Sequence, residues 1–568
     1  MQFKTSLLFL FTVLSLSVFS QQENLPLNYN MMLSYEKYLN DYDKPSFHSS
    51  IKPYNASEVY QFVYPDTVQG FERLKKSDWF SKMVNVLGYE NLLEFDEHGY
   101  VKHRDSVEVS PGIWVKDVVY DKGYKDRKVY VALNPIFNIS YGYDFFAKKT
   151  IYTRLIGAEL KVNIGKKVSM YTSFLNTVAK FPLYVQGFNQ QTSAVPGEGK
   201  SRGNKTGALD FSSVSAYISY SPVRQFNMQF GHGKHFFGDG YRSLFLSDNA
   251  FYYPYMQFST NIWRIKYVNI FAEFENRIQQ TTDFTLGFPR KFATFNYLSV
   301  DAAKWLQLGV FEGIMWRRTN ERGNVEFDYN LLNPILGIRA FQKKLDDHTN
   351  QLYGFNFKVT APKYIVFYGQ LAINKFGEAK TINRRVGYQA GAKYFDVGGI
   401  KNLNLQVEFN NVRPYTYQGS DSALAYSHYN QSITHPMGAN FREYLLLASY
   451  QWKRVYATYK FSYTQTATDL DTTGSIFTNY GNNVLEALAD ASRPVNTKMF
   501  NGSPYTVMDH EIHFGYILNL KINMVVEAKL QFRKYNFKDF NTSQNNNSFG
   551  LSFATNIFNR YYDLPVLF

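Results

Sequence analysis

The chain has 568 residues and no cysteine, which excludes disulfide bonds, thiol catalysis and a lipid-modified cysteine. Its mean hydropathy is −0.34, and after the N-terminus no apolar run approaches the roughly 20 residues that a membrane-spanning helix needs, so a helical membrane protein is excluded. The net charge of +14 is spread along the chain instead of being clustered in a binding motif, and we therefore expect no nucleic-acid partner.

The first 20 residues are predicted to be a secretory signal peptide. Lys4 gives a weakly positive start, an apolar stretch runs from Leu7 to Val18, and Val18-Phe19-Ser20 is an acceptable cleavage site. The alternative is a membrane anchor, which is disfavoured because the apolar stretch is too short to cross a bilayer. The following region, residues 21–126, carries short helix-like segments and charged turns, and we predict a small N-terminal periplasmic region of mixed α/β structure, or a plug.

From residue 127 to residue 568 the sequence alternates between apolar and polar side chains. In residues 403–409, leucine, valine and phenylalanine alternate with asparagine, glutamine and glutamate, and residues 522–533 and 548–557 repeat the pattern. Because side chains of a strand point alternately to its two faces, each segment has one apolar and one polar face. The polar sets cannot form a packed core, so the apolar sets are expected to face lipid, as in an outer-membrane β-barrel.

The spacing of these segments predicts an all-β, antiparallel transmembrane barrel of about 18 strands, integral to the cell outer membrane. Its aromatic content of 18% fits girdles at the two membrane interfaces. Short turns are predicted near residues 165–166, 222–223, 264–265, 362–363, 398–399, 452–453 and 520–521. Long connections, which face outward in bacterial barrels, are predicted at residues 182–207, 233–254, 276–289, 317–348, 414–440 and 466–507.

Signals for catalysis are weak. In the segment Asp509-His510-Glu511-Ile512-His513, the two histidines point to opposite faces of a strand and cannot share a metal ion. No nucleophile elbow or phosphate-binding loop occurs. We therefore predict no catalytic residue, no metal and no cofactor.

An unusual segment, residues 238–250 with Pro254-Tyr255, lies in the predicted outer connection 233–254 and combines turn-forming residues with aromatic and charged ones. One interpretation is a tightly folded loop that plugs the lumen, because glycine, Asp-Asn and proline form turns. The other is a site for a sugar or protein partner, since planar rings stack on sugar faces while amides, carboxylates and arginine bond hydroxyl groups. The structural interpretation is favoured. The candidate binding residues are Asp239, Tyr241, Arg242, Asp248, Asn249 and Tyr255.

A second cluster, rich in tyrosine, histidine and asparagine, is predicted at the outer rim. Girdle aromatics and a self-packed loop are the favoured interpretation, and a glycan-facing surface is the alternative. Its candidate residues are Arg413, Tyr415, His428, His435 and Asn440.

Several blocks of the sequence resemble, in order, the Wzi capsule-assembly family. Residues 240–250 with Pro254 resemble the signature loop of that family, and residues 333–335, 352–356 and 368–370 resemble its next block. Other segments are closer to the branch identified as gliding-motility protein RemB. These are residues 394–396, 413–415, 428–431 and 435–440, and the likeness spans roughly residues 153–562.

The resemblance implies an outer-membrane barrel of about 18 strands. For the Wzi group it implies a lectin-like role that holds capsular polysaccharide at the cell surface, and for the RemB group a part in gliding on solid surfaces. The expected partners are membrane lipid, surface or capsular polysaccharide and gliding-machinery proteins. One alternative hypothesis is a passive or substrate-specific channel, which the polar lumen supports. Another is an outer-membrane hydrolase, but no base–nucleophile pair can be named for it.

Overall fold

The structure is a computed structural model of the whole chain. It describes residues 24–25, 27, 29–40, 47–55, 58–59, 116–120, 129–164, 167–203, 207–277, 288–318, 333, 335–337, 349–374, 385–469, 478–488, 498–519, 524–539, 541–555 and 562. The predicted signal peptide and most of the predicted N-terminal region lie outside the described residues.

Eighteen antiparallel strands form a closed barrel, which confirms the predicted fold and strand number. In chain order they are β1 (Val129–Asp144), β2 (Lys149–Ile164), β3 (Val168–Lys180), β4 (Leu209–Val223), β5 (Phe226–Gly233), β6 (Tyr253–Ile262), β7 (Ile265–Glu275), β8 (Arg290–Ala303), β9 (Leu306–Arg317), β10 (Thr349–Ala361), β11 (Ile365–Asn374), β12 (Val386–Tyr394), β13 (Leu403–Val412), β14 (Phe441–Trp452), β15 (Val455–Thr468), β16 (Ser503–Asn519), β17 (Met524–Phe537) and β18 (Thr542–Ala554).

The barrel closes where β18 pairs with β1, with Ser548 opposite Asp144 and Ala554 opposite Asn138. Below that seam, the short strand Lys116–Tyr120 pairs with the first residues of β1. All eight connections at one end are short, and seven of them were located from the sequence; the eighth is Lys304-Trp305. At the other end most connections are long, but two, residues 145–148 and 538–541, are short, and neither was among the six long connections predicted.

The outer face of the barrel is apolar, as the alternation predicts. On β13, Val407 is 50% exposed, whereas its neighbours Gln406 and Glu408 are 2% and 3% exposed because they point into the lumen. Exposed aromatic side chains mark the short-turn end, among them Trp263, Trp305, Tyr364 and Trp452, and the long-loop end, among them Tyr141, Tyr143, Phe145 and Phe146. The two aromatic belts match the interfaces of a membrane-spanning barrel.

One row of polar side chains interrupts the apolar outer face. Asn269, Asn296 and Glu312 occupy opposed positions on β7, β8 and β9, on the face opposite the lumen. Asn269 donates to Asn296 at 2.8 Å, and Asn296 donates to Glu312 at 3.0 Å. All three side chains are at most 7% exposed, so this part of the wall is covered and does not contact acyl chains.

The interior is not uniformly watery, which corrects the expectation that the inward sets cannot form a packed core. On β8 and β9, the luminal side chains Tyr297 and Phe311 are fully buried. Phe237 stacks on Tyr297 with ring centroids 4.9 Å apart, and Phe245 stacks on Phe311 at the same distance. Part of the aromatic content therefore fills the lumen instead of forming girdles.

The described residues between 24 and 59 lie inside the barrel. Helix α1 (Tyr29–Leu39) places Glu36 between Lys393 of β12 and Lys52. Burial alone would raise the pKa of this carboxyl, but the two ammonium groups outweigh burial and lower the pKa to about 2. Residues Ile51–Lys52 also pair with Phe236–Phe237 in a two-stranded ribbon. No helix among the described residues is long and apolar enough to cross a membrane.

Candidate functional site

The connection between β5 and β6, residues 234–252, folds into the lumen; we call it the inner loop. Its apolar side chains are drawn to the aromatic luminal wall, where Phe245 is fully buried against Phe311. Gly238 has φ of +144°, and a Cβ there would lie 2.5 Å from the side-chain nitrogen of Gln370. Only glycine therefore allows the backbone to turn this close to the wall.

A buried ion-pair network holds the tip of the inner loop. Arg242 donates from Nη2 to Glu443 Oε1 at 3.1 Å and from Nε to Oε2 at 3.4 Å. His435 Nε2 lies 2.8 Å from the same Oε2 and donates to it. The backbone N–H groups of Tyr241 and Arg242 donate to Glu408 at 2.7 and 3.2 Å. Both carboxylates in this buried site, those of Glu408 and Glu443, thus accept from several donors.

Asp239 joins the inner loop to the N-terminal segment. Its Oδ1 accepts from the hydroxyl of Ser49 at 2.6 Å, and its Oδ2 accepts from the side chain of Asn356 at 3.2 Å. Lys358 donates to the same Ser49 hydroxyl at 2.9 Å. With 2% of its surface exposed, Asp239 serves as a link between the loop, the wall and the segment that carries α1.

The end of the inner loop is bound to its neighbours in the same way. Asn249 donates to the carbonyl of Ser432 at 3.0 Å, and Tyr255, at the start of β6, donates to Gln229 at 2.7 Å. Asp248 lies beside them, is 5% exposed and lines a cavity in the lumen.

The second predicted cluster lies where two outer connections are joined by hydrogen bonds. Tyr415 donates to the carbonyl of Asn479 at 3.0 Å, and the side-chain oxygen of Asn440 accepts from the backbone of Phe500 at 2.8 Å. The carbonyl of Arg413 accepts from the backbone of Asn440 at 3.4 Å. These contacts tie residues 413–440 to the described residues of the connection between β15 and β16.

His428 is buried with a fixed tautomer. Its Nδ1 accepts from the backbone N–H of Glu275 at 3.0 Å, so Nε2 carries the proton that it donates to the carbonyl of Tyr252 at 3.1 Å. Burial lowers the pKa of His428 to about 3, and the side chain is neutral at physiological pH.

Near His428, a partly exposed group of side chains lies at the long-loop end; we call it the rim cluster. Arg277 lies 4.4 Å from the ring centre of Tyr429 and 4.5 Å from that of Phe288. Its Nε lies 2.6 Å from Glu275, and its Nη2 donates to the Tyr429 hydroxyl at 2.9 Å. The cluster thus combines aromatic rings, a guanidinium and a carboxylate at an accessible edge.

Sequence reasoning missed the rim cluster, although it named the neighbouring His428. Arg277 and Phe288 lie within the predicted outer connection 276–289, and Tyr429 belongs to the predicted tyrosine-rich segment. Their contact joins two connections that are about 150 residues apart in sequence, so no local sequence pattern predicts it.

Of the eleven predicted binding residues, nine are buried, and only Tyr241 and Arg413 are half-buried. Direct contact of the nine with a polymer outside the barrel requires the loops to open. Within the described part of the chain, no group of three or more acidic or histidine side chains is arranged to hold a metal ion. His513 contacts Glu511 and Glu527 in the lumen, while His510 contacts Tyr459 on the opposite face.

No protein-family model matches this sequence. No curated protein matches it either. Among solved structures, the chain is similar to Wzi of Escherichia coli, an outer-membrane protein involved in group 1 capsule assembly and a carbohydrate-binding β-barrel. The TM-score is 0.54 at 11% sequence identity, and the match covers 94% of this chain and 100% of Wzi.

Two outer-membrane proteins of Pseudomonas aeruginosa also match. OpdK has a TM-score of 0.41 at 9% identity, covering 75% of this chain and 98% of OpdK. OprD has a TM-score of 0.40 at 9% identity, covering 78% of this chain and 97% of OprD. At 11% identity, the likeness to Wzi shows a shared fold, and together with the closed barrel and its apolar outer face it identifies an integral outer-membrane protein.

Proposed function

We propose that this outer-membrane barrel binds surface or capsular polysaccharide at its long-loop end and acts without catalysis. Its role would be in gliding motility, as the RemB-like blocks suggest, or in cell-surface adhesion. The main support is the likeness in fold to Wzi, a carbohydrate-binding barrel, over 94% of the chain. Gliding-machinery proteins are further partners under this proposal.

The rim cluster is the part of the long-loop end whose chemistry suits a glycan best. Aromatic rings such as Tyr429 and Phe288 stack on the apolar faces of sugars, while Arg277 and Glu275 bond hydroxyl groups. Phe288 is 37% exposed, so its ring is accessible to a polymer.

Most of the eleven predicted binding residues are buried, and under the proposal they hold in place the loops that carry this surface. His428 holds the backbone of Glu275, while Arg242, Glu443 and His435 fix the inner loop on which the outer connections rest. Under the proposal most of them are positioning residues, and Tyr241 and Arg413 are the two with accessible surface.

The test is binding of the purified, folded barrel to an array of bacterial surface polysaccharides, followed by cell-bound polysaccharide and colony spreading of a deletion strain. Arg277→Ala is expected to weaken glycan binding about tenfold, because it removes the guanidinium between the two rings. The matched control is Arg202→Ala, which removes an exposed arginine from the connection between β3 and β4 at the same end of the barrel.

Equal losses in the two variants would remove the rim cluster from the proposal. Absence of any glycan binding, combined with unchanged spreading and unchanged cell-bound polysaccharide in the deletion strain, would overturn the proposed function itself.

A channel is the second candidate function, because one luminal wall is charged and partly exposed to solvent. On β15–β17, Lys460 and Lys529 contact Glu511 at 2.7 and 2.9 Å, and His513 contacts Glu527 at 2.9 Å. The side chains of Lys529 and His513 are 31% and 25% exposed. Large, steady currents of the purified protein in a planar bilayer would favour the channel, whereas their absence would favour the binding protein.

A further inference from the structure

A cavity in the lumen lies between the barrel wall, the inner loop and the N-terminal segment. It contains about 680 Å³ of empty space, part of it open to solvent. The side chains that matter most for its chemistry are Lys161, Tyr171, Tyr217, Lys234, Asp248 and Tyr255.

The aromatic wall of the cavity is built from neighbouring strands. Tyr171 of β3 and Tyr217 of β4 stack with ring centroids 5.4 Å apart and an interplanar angle of 18°. Tyr255 approaches from β6, and its ring packs edge-on against His235 at 4.4 Å. Such rings offer flat apolar surface to the C–H faces of a sugar.

Fixed hydrogen bonds prevent these side chains from collapsing into the empty space. The Tyr217 hydroxyl accepts from the backbone of Asn24 at 3.0 Å, and Tyr255 is bound to Gln229. Lys234 donates to the carbonyl of Gly197 at 2.7 Å. The cavity is therefore preorganised, which lowers the entropy that a ligand must overcome.

The polar groups of the lining suit the hydroxyls of a sugar. The ammonium of Lys161 is a donor and the carboxylate of Asp248 an acceptor, and both side chains are more than nine-tenths buried. Ser215, on β4, also lines the cavity. Aromatic surface with a few fixed polar groups is the usual composition of a small-molecule site.

We infer that this cavity binds a single pyranose ring of a saccharide, separately from the rim cluster. The inference rests on the proposed function, because it assigns the same ligand class to a second site inside the barrel. A short saccharide, or the end of a longer chain, would stack on the tyrosines and bond Lys161 and Asp248.

The experiment is calorimetric titration of the whole folded protein with glucose, glucuronate and their β-linked disaccharides. We expect at least one probe to bind. Tyr171→Ala should weaken binding about tenfold or more, whereas Tyr171→Phe should retain most of it because the ring remains. Ser215→Trp, which fills the cavity, should abolish binding. Lys534→Gln, which changes an exposed lysine on the outer face of β17, should leave it unchanged.

The outcomes separate the two proposals. No binding of any of the four probes, or equal binding by wild type and Ser215→Trp, would overturn the cavity site even if the polysaccharide array is positive. If Tyr171→Ala or Ser215→Trp fails to fold, Lys161→Gln decides instead: unchanged affinity contradicts the inference, and weaker affinity supports it.

Discussion

Arg242→Ala tests whether the inner loop is fixed in the lumen by a buried charge pair. Arg242 and Glu443 are 2% and 1% exposed, and two hydrogen bonds join them. Removing one partner of a buried ion pair costs roughly 3–5 kcal/mol, because the other charge stays desolvated. Glu443 keeps donors from His435 and Asn410, so we expect the lower part of that range, about 3 kcal/mol.

The assay is the free energy of unfolding in urea, measured on the barrel folded into lipid vesicles, together with the rate of proteolysis within residues 234–252. Arg290→Ala is the control, because Arg290 is 51% exposed, so its pairs with Glu273 and Glu275 lie at the surface, where such a pair contributes at most about 1 kcal/mol. The double variant Arg242→Met, Glu443→Leu should be less destabilised than Arg242→Ala. A loss for Arg242→Ala no larger than for Arg290→Ala would refute the reasoning.

Three further predictions follow from the same structure. Val407→Arg, on the lipid face, should destabilise the barrel by ~2–4 kcal/mol in urea titrations, whereas Asn404→Arg, on the luminal face, should cost less than about 1 kcal/mol; equal costs would contradict the assigned faces. Glu36→Ala leaves Lys393 and Lys52 buried without their shared carboxylate, so proteolysis of the N-terminal segment should accelerate, while unchanged protection would contradict its anchoring role. Burial lowers the pKa values of His235 and His428 to about 3, below the ordinary value of 6.5, so the unfolded chain takes up protons first. Their stabilising effect is complete above pH 6.5 and shrinks as the pH falls towards 3, and the thermal midpoint of His428→Gln should depend less on pH over that range than the wild type.

Alternation was sufficient to predict the barrel because lipid imposes one rule on every strand. Val407, Leu530 and Leu551 point outward as their spacing requires, and strand number and short turns follow from the same period. The covered row that ends at Glu312 escaped the prediction, since the period fixes only the face on which a side chain lies. What covers that face is decided by tertiary structure.

The interior was harder to predict because its contacts join distant segments. From the alternation alone, Gln406 is a luminal position at which substitutions should cost little. In the structure its side chain donates to the hydroxyl of Tyr368 at 2.7 Å and is 2% exposed. Arg242 and Glu443 are 201 residues apart in sequence. The turn-rich composition of the inner loop favoured a folded plug, and the described loop lies in the lumen, but no pattern in the sequence identifies its partners.

Single-cysteine labelling tests the inward-folded loops most directly, since the chain contains no cysteine of its own. Ser247→Cys places a thiol in the inner loop, where the serine is 6% exposed, and Lys200→Cys places one on an exposed outer connection. With a membrane-impermeant maleimide on intact cells, we predict rapid labelling of Lys200→Cys and protection of Ser247→Cys until the protein is unfolded. Equally rapid labelling of both positions would contradict the account.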